Sequence, residues 1–155
     1  MKFVNYDIVF QEIPDETTLA INISNCPCAC KGCHSDYLQK DIGQVLDEPA
    51  LACLLKKYAK NITCVAFMGG DANVNEVVAC AKWVKEHYQL KTAWYSGRTN
   101  MSDKFLPIYF DYLKLGPYKE QFGNLTKKTT NQRLFKILRN NNQFHFSDIT
   151  ASFWK

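Results

Sequence analysis

The chain has 155 residues, 46% hydrophobic and 22% charged, with a formal net charge of +4. Against about 150 residues per domain this is a single domain, 1–155, with one real core; the balance excludes a disordered chain and a repeat array. The longest apolar runs, such as 64–68, fall far short of the roughly 18 residues of a membrane span, and the N-terminus lacks a basic-then-apolar signal pattern. A cytoplasmic protein without a membrane partner is expected, folding alone or as a homodimer.

In chain order, the segment from Phe3 to Ile13 reads as an added edge strand or hairpin before Pro14. Leu19–Ile23 is a strand, followed at once by a cysteine-rich loop. Asp47 caps a helix with Glu48 and Pro49 in its first turn, and Leu51, Leu54, Leu55 and Tyr58 form its apolar stripe. The run Ile62–Met68 is continuously apolar, a strand buried on both faces. It leads into Gly69, Gly70 and Asp71, and a second helix spans about 75–88 with Val77, Val78, Ala81, Val84 and Tyr88 inward. Thr92–Tyr95 and Tyr109–Leu115 are further strands, bounded by Pro107 and Gly116. Strand and helix alternation predicts an α/β fold with parallel strands and right-handed crossovers. Leu134–Leu138 is the last apolar run, and Asn140, Asn141 and Asn142 make a turn-like break before an aromatic tail, Phe144–Trp154, that packs on the domain or docks on a partner.

Charge is uneven: the segment 114–139 holds seven basic residues and one acid, Glu120. Such a segment suits an acidic protein surface, a phosphorylated substrate or nucleic acid, or is simply a solvated face.

Seven cysteines, four of them at 26, 28, 30 and 33, fit a disulfide framework poorly. Cys53, Cys64 and Cys80 stand apart, in helical or strand-like surroundings where cysteine acts as a small buried hydrophobe. Converging soft thiolates favour iron-sulfur or zinc ligation. A structural zinc site usually draws on two separated pairs, and a second pair is missing here. A Cys30-x2-Cys33 redox dithiol leaves Cys26 and Cys28 unexplained. With Cys26, Cys30 and Cys33 as ligands, a [4Fe-4S] cubane keeps one iron open; Cys28 offers another register, or is a bystander or a thiol that stands behind the ligands. His34 packs beside such a cluster or caps the following helix.

The Cys26-x3-Cys30-x2-Cys33 loop after the first parallel strand, with Gly69, Gly70 and Asp71 after the next, resembles the radical S-adenosylmethionine (SAM) superfamily. Ser96 and Gly97, then Gly116, Pro117 and Tyr118, then Asn131, Gln132 and Arg133 follow in the order seen in activating proteins of anaerobic (class III) ribonucleotide reductases. The resemblance covers about residues 5–138 and leaves the 140–155 tail outside. It implies an incomplete (β/α) barrel of radical SAM type, since a full barrel needs about 200 residues or more. It implies a [4Fe-4S] cluster on Cys26, Cys30 and Cys33, and SAM held by Gly69, Gly70, Asp71, Ser96, Gly97 and Arg133. The reduced cluster would cleave SAM to a 5′-deoxyadenosyl radical that takes a Cα hydrogen from a glycine of the reductase large subunit. The implied electron source is a one-electron donor such as flavodoxin. Two positions depart from the usual pattern: Asp15–Thr18 replaces a Gly and an Arg, and Asn25 replaces the Gly of Ser-Gly-Cys. A related radical SAM enzyme, or an activase of another glycyl-radical enzyme, is the alternative. A zinc or nucleic-acid binding module is the remote one.

Overall fold

The apolar run before Gly69 lies at the centre of the sheet, which explains why its residues are hydrophobic without alternation. In the computed structural model, which describes residues 1–154, the strands are β1 (Lys2–Val9), β2 (Thr18–Ile23), β3 (Gln44–Val45), β4 (Cys64–Met68), β5 (Lys91–Tyr95), β6 (Tyr112–Leu115), β7 (Arg133–Asn140) and β8 (Gln143–Asp148). The helices are α1 (Glu48–Tyr58) and α2 (Val74–His87). The strands form one sheet in the order β3-β1-β2-β4-β5-β6-β7-β8. The pairs β2–β4, β4–β5 and β5–β6 are parallel, while the outer pairs are antiparallel. No helix among the described residues is long and apolar enough to cross a membrane.

Both helices form where the sequence places them. The Asp47 carboxylate accepts from the Ala50 N–H at 3.0 Å, and Leu51, Leu54 and Leu55 are buried. From α2, Val77, Val78, Ala81 and Val84 join those leucines in one core with Leu19, Ile21, Ile23, Val65, Phe67 and Trp94. Each fully buried side chain of this kind contributes about 1.5–3 kcal/mol. Both helices therefore cover the same face of the parallel strands. The opposite, inner face carries a second, smaller core of Ile13, Cys64, Ala66, Ala93, Tyr112 and Leu134.

Several boundaries differ from expectation. The strand expected over 109–115 starts only at Tyr112, because Pro107 opens a 3₁₀ turn and Phe110 packs on Phe105, ring centroids 4.7 Å apart. The connection from β5 to β6 contains this turn and, among the described residues, no α-helix. The polar break at 140–142 is a hairpin: Asn141 and Asn142 both have left-handed backbones, with φ of 50° and 63°, and β8 pairs antiparallel with β7. The aromatic tail then folds back on the domain, where Trp154 Nε1 donates to the Leu125 carbonyl at 3.0 Å. Lys155 lies outside the described residues.

Candidate iron-sulfur site

The inner face is built in rows, because residues paired across parallel strands point the same way. One row runs Ala20, Ala66, Ala93. The next, at the C-terminal ends of the strands, runs Asn22, Met68, Tyr95, Lys114. Above it, the loop after β2 folds over: Asn25 N–H donates to the Lys40 carbonyl and Cys26 N–H to that of Leu38, at 3.0 and 2.9 Å. Asn25 has φ of 59°, in the left-handed region that asparagine enters at low cost, which accounts for its replacing glycine there.

Beneath this loop lies a cavity of about 220 Å³, lined by Cys26, Cys28, Cys30, Cys33, Gly69, Asp71, Gly97 and Lys114 among others. All four clustered cysteines are free and half-buried. The thiols share the cavity wall; among the described residues no three or more His, Cys, Asp or Glu are gathered tightly enough to hold a metal ion. Ser35 N–H donates to Cys33 Sγ at 3.4 Å. His34 is exposed, and the short 3₁₀ helix that follows, Asp36–Gln39, has Ser35 at its N-cap and no side-chain cap.

Gly69 and Gly70 turn the chain at the end of β4 with φ of 105° and 94°. The Gly69 carbonyl accepts from Trp94 Nε1 at 2.7 Å. This turn delivers Asp71, whose carboxylate is almost fully buried and accepts from Ser96 Oγ at 2.5 Å, Gly97 N–H at 2.8 Å and Cys28 Sγ at 3.7 Å. Burial, with Asp71 and Cys26 adding to it, pushes the Cys28 thiol up to about 12. The structure thus brings together Cys26, Cys30, Cys33, Gly69, Asp71 and Gly97 around one cavity, with Gly70 in the turn and Ser96 behind Asp71.

Arg133 is placed elsewhere. Its Nη1 donates to the Thr130 and Gln132 carbonyls, both at 2.9 Å, and Nε lies 3.6 Å from Asp148, so the guanidinium ties the start of β7 rather than lining the cavity. The cation in the cavity is Lys114, which the sequence reading counted only as part of the basic segment. It is buried, and Nζ donates to the carbonyls of Gly116 at 2.7 Å and Ser96 at 3.3 Å. Burial pushes its ammonium down to about 8, against the opposing pull of Asp71 and the loop thiols. The period of two in β6 was the available signal, since it puts Lys114 on the same face as the inward Tyr112. Of the three remaining cysteines, Cys64 and Cys80 are buried and Cys53 is exposed on α1, contrary to its expected burial. Burial raises the thiols of Cys64 and Cys80, leaving them protonated and inert.

The donor set fits an iron-sulfur group: four thiols from one loop, at a partly apolar cavity. Thiols of this loop would hold a [4Fe-4S] cluster there, with Lys114 offsetting part of its negative charge. None of the curated proteins and none of the solved structures matches the chain. A family model described as a 4Fe-4S single cluster domain matches residues 17–134, from just before β2 to the start of β7, and so spans the loop, the cavity and every strand that builds it. The chain belongs to the family of 4Fe-4S single cluster domains.

Proposed function

We propose that the chain is a radical SAM activase, which cleaves SAM reductively at a [4Fe-4S] cluster and removes a Cα hydrogen from a glycine of an anaerobic ribonucleotide reductase large subunit. The observation that carries this reading is that the cysteine loop and the Gly69-Gly70-Asp71 turn face each other across one cavity, at the C-terminal ends of parallel strands, with a buried lysine beside them. When bound, the cluster supplies one electron to the sulfonium, and the cleavage provides the radical that takes the hydrogen.

The chain's own part is to bind and orient. The Asp71 carboxylate offers about four acceptor positions. Ser96, Gly97 and Cys28 occupy three, so one remains for the ammonium of SAM's methionyl portion. Lys114 supplies the cation for its carboxylate, in place of Arg133 among the residues that hold SAM. Ser96 and Gly97 flank the place for adenosine, beside a second cavity of about 310 Å³ that shares Asp71 with the first and is lined by Ser96, Arg98, Thr99 and Asn100.

The fold supports the same reading. The parallel strands run β2, β4, β5, β6 without reversal, and both helices lie on one face, which is the winding of a (β/α) barrel rather than of a doubly wound sheet. Antiparallel β1 and β7 flank the series, so we read it as an incomplete barrel whose open side admits a protein segment. A one-electron donor such as flavodoxin is part of the proposal.

The test is anaerobic reconstitution followed by electron paramagnetic resonance of the dithionite-reduced protein, with and without SAM. We expect a [4Fe-4S]1+ signal that SAM shifts and Cys30→Ala lacks, and formation of 5′-deoxyadenosine. Stoichiometric zinc without a cubane overturns the reading. A cubane indifferent to SAM leaves an electron-transfer domain and overturns the activase. Radical transfer to candidate glycyl-radical enzymes separates the reductase from another partner.

A further inference from the structure

We propose that Cys28 is a positioning residue and not a cluster ligand: its thiol holds the cysteine loop against the junction of Asp71 and Gly97, in the space that Gly97 leaves by having no side chain. What the loop is positioned for rests on the function proposed above; the contact itself belongs to the chain alone.

Two independent features carry this. Cys28 Sγ lies 3.7 Å from Asp71 Oδ2, the same oxygen that accepts the Gly97 N–H at 2.8 Å. A Cβ placed on Gly97 would come within 2.7 Å of Cys28 Sγ, closer than such atoms approach, and within a tight 3.2 Å of Cys28 Cβ. Gly97 is also absent from the residues with positive φ, so its backbone is open to any residue. The contact with Cys28 alone demands glycine there. Three loops, from the ends of β2, β4 and β5, therefore meet at one carboxylate.

Cys28 stands beside Cys26 on the cavity wall, so its contact with Asp71, and not separation from the other thiols, marks it out. Cys28 is directed at the strand-end loops and Asp71, whereas Cys33 accepts from its own loop at Ser35. A thiol that donates to Asp71 fixes the height of the loop over the inner face and keeps Asp71 aimed at its remaining ligand position. Removing the thiol frees both, while the other three cysteines remain.

Two experiments test this. In the reduced, cluster-free chain, thermal unfolding is compared for Gly97→Ala, Cys28→Ala and the double variant. The clash predicts a lowered midpoint for Gly97→Ala and recovery of at least half the loss in the double variant; additive losses overturn the contact. After reconstitution, Cys28→Ala and Cys28→Ser keep the iron content and cubane signal of the wild type. Cys28→Ala weakens the SAM-induced spectral shift about 10-fold in SAM concentration, the scale of one hydrogen bond to a charged group, and Cys28→Ser restores most of it. Loss of the cubane in Cys28→Ala, with retention in Cys26→Ala, makes Cys28 the ligand and overturns the proposal. If the wild type takes up no cubane the proposed function fails, and the unfolding cycle still decides the contact.

Discussion

The Lys114→Met substitution tests the electrostatics of the site in a chain free of its cluster. Lys114 is buried on the inner face, and burial lowers its ammonium from 10.5 to about 8. An unfolded lysine keeps its ordinary value, so below pH 8 the folded chain carries a buried charge whose penalty, at about 1.4 kcal/mol per pH unit, is on the order of 3 kcal/mol. The sign follows: the penalty is fully present below the folded value and is relieved as pH rises towards 10.5. At pH 9.5 about 1 kcal/mol remains, so wild-type stability should gain about 2 kcal/mol on the variant between pH 7 and pH 9.5. The carbonyls of Gly116 and Ser96 lose their donor in the variant at every pH and cancel from this difference. The assay is urea unfolding of both chains, reduced and anaerobic, at the two pH values. Curves that stay parallel within about 0.5 kcal/mol refute the claim that Lys114 is held charged in a water-poor site.

Three further outcomes follow from other parts of the fold. Burial alone would raise Glu16, but hydrogen bonds from Lys91, Thr63 and Tyr112 overcome it and hold the carboxyl below its ordinary value. Its contribution is therefore present above the carboxylate range and lost as pH falls through the folded value, and Glu16→Gln should flatten the acid limb of the stability profile. At Gly70 a Cβ would meet Val77 Cγ2 at 2.5 Å on a backbone with φ of 94°, so Gly70→Ala should cost at least the roughly 1–2 kcal/mol of a left-handed residue, read from urea unfolding. Leu51→Ala empties a fully buried position beneath α1 and should cost about 2–5 kcal/mol by the same measurement, without altering thiol reactivity in the cysteine loop.

The parts of the fold governed by local chemistry were legible in the sequence. Asp47 as cap, the leucine stripe of α1 and the apolar run of β4 each carry their own signal over a few residues. The cysteine loop and the Gly-Gly-Asp turn were legible for a similar reason, since their chemistry is concentrated in short segments. What escaped depends on distant partners. The pair of residues in β3 forms a strand only because β1 offers an edge. β8 hid behind an Asn-Asn turn in place of the usual Asn-Gly, and its aromatics read equally well as an unpaired tail. Lys114, which carried no expected role, lines the cavity and Arg133, expected there, does not. The alternation of β6 already sets Lys114 on the face of Tyr112, but only the packed sheet shows that the cavity lies on that face and that Arg133 does not reach it.

The row of alanines under the site has a consequence for how this scaffold could change. Ala20, Ala66 and Ala93 lie one step below Asn22, Met68 and Tyr95, so the side chains that floor the cavity stand on three methyl groups held by rigid strands. Depth and chemistry are thereby separated: the loops carry the thiols and the carboxylate, and the sheet alone decides how far a ligand can sink between them. Larger side chains in that row would crowd the packed cluster of Ile13, Tyr112 and Leu134 and push up the floor residues above it. Smaller ones would not lower it much, because almost nothing is left there to remove.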